Sequence, residues 1–168
     1  MFKKAFIWFP QLHKPMPISQ DVIAEFQAKA REAFSLLSKE FNMKLVQADD
    51  LRFQLVGHVL DVCLYLYPSH IPSVNITLIP KGEQWNKWRR ESYWGATGIW
   101  LTHLVAFRKA KESCPDTHFQ TAQELCGRIE ALIQDLRIVG NDLLRGDAAA
   151  IQHLAAYADE TTQRKIGQ

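Results

Sequence analysis

Between Leu51 and Ile79 an apolar residue falls at every second position, in runs separated by turn residues. Leu51, Phe53 and Leu55 share one face; Gly57-His58 interrupts them; Leu60, Val62, Leu64 and Leu66 follow; and beyond the loop from Pro68 to Pro72, Val74, Ile76 and Leu78 repeat the pattern. A period of two belongs to a pleated strand with one buried face, and strands joined by such short connections pair antiparallel. The stretch therefore predicts an antiparallel meander, with Leu45 starting a further strand ahead of an Asp49-Asp50 turn. The opposite face carries Asp61, Cys63, Tyr65 and Tyr67, then Asn75 and Thr77, and is expected to point outward.

On both sides of the meander the period changes to that of a helix. Ser19 is a suitable N-cap, and Val22, Ile23, Phe26, Ala30, Ala33, Phe34, Leu37 and Phe41 recur at three- and four-residue steps up to Asn42, a natural stop. Downstream, Ile99, Trp100, Leu104, Val105 and Phe107 predict a second helix ending near Ser113, before Pro115. Thr117 with Gln120 offers a capping box for the longest stripe, which runs from Leu125 to Leu144. Gly146 suits its C-terminus, and Asp147 suits the cap of a last helix through Ile151 and Leu154. Residues 1–17 read as an N-terminal arm or short strand, with Trp8 and Phe9 docked on the body, and residues 161–168 as a frayed tail. The expected fold is a single α+β domain: an antiparallel sheet of three to five strands with three or four helices packed mainly on one face.

One segment follows neither period. Trp85, Trp88, Trp94 and Trp100 crowd between Lys81 and Trp100, interleaved with Arg89 and Arg90. Such a segment can be a corner of the core, with arginines stacked over indoles, or a contact surface, because tryptophan and arginine are over-represented among residues that anchor protein partners. On the second reading Trp85, Trp88, Arg89, Arg90 and Trp94 are the partner-binding residues. Asp61, Tyr65 and Tyr67 form a secondary candidate surface.

Charge and cysteine usage narrow the setting. A net charge of +2 lacks the basic excess of a nucleic-acid binder. Cys63, Cys114 and Cys126 are odd in number and have neither disulfide-framework nor zinc spacing, which fits a reducing cytoplasm. The apolar run after Lys3-Lys4 stops at Pro10, too short for a secretory leader, and no stretch approaches the roughly 20 apolar residues of a membrane span. No metal-ligand spacing or cofactor motif is present: the histidines are scattered, and Gly95-Ala-Thr-Gly98 has neither the lysine nor the spacing of a phosphate loop.

The order helix, meander, helices, closing on Asn141-Asp142-Leu143-Leu144-Arg145-Gly146-Asp147, resembles a class of small bacterial cytoplasmic α+β proteins of the toxin-immunity or uncharacterised type. The resemblance spans roughly residues 18 to 157. It implies a non-enzymatic protein that binds a cognate toxin or effector and occludes its site. Two alternatives accompany it. One is a small enzyme assembled from distant residues on the open sheet face, such as Asp61, Tyr65, His58 and His103. The other is a structural or assembly protein that forms a homodimer.

Overall fold

The computed structural model describes residues 18–83, 85, 98–108 and 116–154. The N-terminal arm, Trp88, Arg89, Arg90, Trp94, Cys114 and the tail from 161 lie outside these residues. Helix α1 spans Gln20–Phe41 and begins as its sequence dictates: Ser19 Oγ accepts from the Val22 N–H at 3.3 Å, and Asp21 sits in the first turn where the helix dipole favours an acid. It ends at Asn42, whose φ of 52° is the left-handed conformation that asparagine tolerates, and the Ser38 hydroxyl donates to Met43 O at 2.6 Å to fix the exit. Phe26, Ala30, Phe34 and Leu37 form its buried stripe.

The chain then lays down strands β1 (Lys44–Asp49), β2 (Arg52–Val56), β3 (Leu60–Tyr67), β4 (Ser73–Pro80) and β5 (Ile99–Trp100). They form one antiparallel sheet in the order β1-β2-β3-β4-β5, so the fold is α+β. Register sets the faces. Leu45, Leu55, Val62, Leu78 and Ile99 lie in one cross-strand row, with Phe53, Leu64 and Ile76 in the next, and both rows point to the helices. Phe26 of α1 meets Phe53 edge to face at 5.9 Å, and α1 lies over β1 and β2.

Helix α2 covers Leu101–Phe107 and helix α3 covers Ala122–Leu144; both pack on β4, and α3 also packs on α1. Arg108 closes α2 against α3: its guanidinium donates to Val139 O and to both Asp142 carboxylate oxygens, at 2.8 and 2.9 Å. Burial opposes ionisation of Asp142, but the bonds from Arg108 and from the Leu143 N–H outweigh it and hold the carboxyl below its usual range. Gly146 has a φ of 75° after α3, and Asp147 Oδ1 accepts from the Ala149 and Ala150 N–H groups to cap the helical residues 148–154. Among the described residues no helix is long and apolar enough to cross a membrane.

Three local expectations are corrected. Ile99 and Trp100 are strand, not the start of the second helix. Gly98, at φ 89°, brings this segment so close to β4 that a Cβ there would lie 2.5 Å from Leu78 O, and Leu78 and Thr77 then pair with Ile99 and Trp100. The capping box of α3 is Thr121 with Glu124, not Thr117 with Gln120: Thr121 Oγ1 accepts from the Glu124 N–H at 3.1 Å, and Glu124 accepts from the Gln120 N–H at 2.7 Å. Thr117 is held extended instead, because the Val74 N–H donates to its carbonyl, a bridge joins Ser73 to His118, and the Phe119 N–H reaches Pro72 O. Finally, Asn75 and Thr77 do not face solvent; they are 4% and 0% exposed. The close return at Gly98 contributes to this, since its backbone presses on the Thr77 methyl and Trp100 pairs beside it.

Candidate functional site

Alternation along β3 sends Asp61, Cys63, Tyr65 and Tyr67 to the face away from α1, and register decides what stands next to each. Arg52 of β2 is directly opposite Tyr65, with its guanidinium carbon 5.9 Å from the ring centroid. Tyr65 and Tyr67, two residues apart, stack at 5.8 Å with 27° between their planes. Asp49 anchors the arginine from the end of β1 at 3.3 Å, and its other oxygen accepts from the Leu51 N–H at 2.9 Å. Asp49, Asp50, Leu51, Arg52, Tyr65, Leu66 and Tyr67 together line a shallow groove of about 380 Å³ at this end of the sheet.

The groove is rigid and neutral at its centre. Its aromatic side chains grow from a strand paired on both sides and stack on each other, so less rotamer freedom remains to be lost on contact. Burial pushes the Tyr65 hydroxyl up to about 12, with the neighbouring Cys63 adding to the effect and Arg52 opposing it. Burial raises the Tyr67 hydroxyl and the Cys63 thiol in the same sense. Near neutral pH both phenols therefore act as uncharged hydrogen-bonding groups beside one fixed cation, with Asp49 and Asp50 at the rim. Arg52 Nε is buried without a hydrogen-bond acceptor among the described residues.

Asp61 belongs to a different cluster. Its carboxylate accepts from Gln54 Nε2 at 2.9 Å and the Gly57 N–H at 3.1 Å, and pairs with Lys81 Nζ at 2.8 Å, while Lys81 also donates to Gly57 O. That network fastens the β2–β3 turn to the end of β4. The residues of the enzyme alternative are likewise separated in role: Asp61 is committed to the turn, His58 is exposed within it, and His103 stacks on Trp100 at 5.7 Å beside β5. Among the described residues no group of three or more His, Cys, Asp or Glu side chains is arranged to hold a metal ion.

Of the first-named partner-binding residues, Trp85 is 4% exposed and contributes its ring to the core, and Trp88, Arg89, Arg90 and Trp94 lie outside the described residues. Tyr65 and Tyr67 are brought together as the second candidate surface. Arg52 and Asp49 are the members that pattern alone does not single out. Counting outward from Gly57-His58 would set Arg52 opposite Cys63, on the right face but one pair away; only the turn centred on His58-Val59 places it opposite Tyr65, so the sequence signals its face and not its neighbour. Comparison with protein families, with curated proteins and with solved structures gives no match to this chain.

Proposed function

We propose that this chain is a non-enzymatic binding protein, most concretely a bacterial immunity-type inhibitor that neutralises a cognate toxin by occluding it, and that it grips that partner through Arg52, Tyr65 and Tyr67. The observation that carries the reading is the stacked tyrosine pair with an arginine laid against it, half-exposed on paired strands. Tyrosine and arginine are among the residue types that dominate binding energy at protein interfaces, and a rigid strand surface presents them with little entropy to lose. The acidic rim at Asp49 and Asp50 suits a partner whose site is edged by lysine or arginine. On sequence grounds Trp88, Arg89, Arg90 and Trp94 are proposed as further contacts.

The test uses the full chain as bait in extracts of its native cell, followed by co-expression with whatever it captures. The expected result is one specific partner that is toxic alone and harmless with the chain. A Tyr65→Ala/Tyr67→Ala variant that keeps the wild-type circular dichroism should bind at least about tenfold more weakly and lose protection. Undiminished capture by that variant would move the site elsewhere. Turnover of a metabolite with no captured protein would replace the inhibitor reading with the enzyme alternative.

A further inference from the structure

Helices α1 and α3 lie side by side and run in the same direction, because their contacts advance together: Lys29 pairs with Glu130 at 2.6 Å, Glu40 with Arg137 at 2.9 Å, and Arg145 sits 5.5 Å from the centroid of Phe41. Between them, on the side away from the sheet, Ala33, Leu36 and Ile133 floor a groove of about 410 Å³. Leu36 is 55% exposed, and Ile138, on the outer side of α3, is 64% exposed. Two large aliphatic side chains are thus held out on this face.

The charges around them are sorted by end. On the N-terminal side of Leu36 and Gln134 this face carries Glu25, Glu32 and Glu130, with Lys29 among them, and on the C-terminal side Lys39, Arg137 and Arg145, with Glu40 among them; Arg31 and Arg128 turn off it to Gln47 and Asp116, and Asp142 is held by Arg108. The two helices run in the same direction, so their dipoles are parallel and repel side by side. A single partner answers both features. We propose that this face is an isologous interface that pairs two copies of the chain about a two-fold axis crossing α1 and α3 near Leu36 and Gln134. Each acidic end then lies over the basic end of the other copy, Leu36 meets its own counterpart, and the four helices pack with dipoles opposed across the interface. A two-fold axis along the helices would place like charge on like charge, so the charge order selects the antiparallel arrangement.

Two helices about 30 Å long and about 10 Å apart offer roughly 600 Å² per copy, at the lower end of a standard interface, and much of it is polar. The dimer is therefore expected to exchange with monomer and to weaken with salt.

The experiment is sedimentation velocity on the full chain from about 1 to about 100 µM, at about 0.05 M and about 1 M salt. A shift from one chain mass to two with rising concentration, reduced at high salt, is expected. Leu36→Glu, a surface change that leaves the fold intact, should raise the dissociation constant at least about tenfold. The decisive arm is a charge exchange. Glu32→Lys alone and Lys39→Glu alone should each be monomeric, because each sets like charges across the axis, while an equimolar mixture should recover a heterodimer. A monomer throughout the range, or a dimer indifferent to Leu36→Glu and to the exchange, would overturn the proposal.

Discussion

Tyr65 shows how a strand position becomes a titrating device. The folded chain holds its hydroxyl neutral up to about pH 12, mainly because it is desolvated, whereas in the unfolded chain a tyrosine ionises near pH 10. The stability this contributes is complete below about pH 10 and is lost as the pH rises toward 12. Urea unfolding followed across that interval should show wild type losing stability relative to Tyr65→Phe, and parallel curves would contradict the desolvated phenol. Thr77 makes the opposite point. Its hydroxyl oxygen is fully buried and has no hydrogen-bond partner among the described residues, so it stays desolvated without compensation. Thr77→Val should leave stability unchanged or raise it by up to about 1 kcal/mol, read from the urea midpoint; a loss of more than about 1 kcal/mol would reveal a bond to that hydroxyl. Alternation alone assigns Tyr65 and Tyr67 to the site face correctly. It cannot foresee the burial of Thr77, which depends on a segment more than twenty residues downstream returning to β4.

At the scale of elements, the helix ends and the strands of the meander were readable because their causes are local. Ser19, Asn42, Gly146 and Asp147 each act through hydrogen bonds or backbone angles within a few residues of themselves. The misread elements have non-local causes. Thr117 resembles a cap in sequence but is taken up by Val74, and Arg128 of α3 strengthens that docking by donating to His118 O at 3.0 Å and to Asp116 at 2.7 Å. Strand β5 is only two residues long and carries no alternation to detect; it depends on Gly98. Gly98→Ala would add a left-handed penalty and a Cβ clash with Leu78 O, at a cost of about 2 kcal/mol or more. Thermal unfolding checks this, and a loss below about 0.5 kcal/mol would show that the β4–β5 approach can relax.

For the whole molecule, the layered arrangement of a meander under helices was legible from the two periods, 2 and 3.6, and their order along the chain. The assembly of the candidate site was only half legible, since parity gives the face while register gives the neighbours, and Arg52 enters through register. One consequence concerns time rather than stability. Strand order in the sheet repeats chain order, and the three hairpins from β1 to β4 each close over a short loop, whereas β5 returns only after residues 81–98 and the Glu40–Arg137 contact between α1 and α3 spans 97 residues. The sheet is thus the part that can nucleate, and the docking of α3 is the part that must come late. Val62→Ala in the middle of β3 is expected to slow refolding, whereas Leu136→Ala in α3, losing about 2–5 kcal/mol, should act mainly by speeding unfolding, so stopped-flow chevrons of the two variants should shift on opposite arms. A chain built this way would emerge during synthesis with its strands able to pair well before its longest helix is available to cover them.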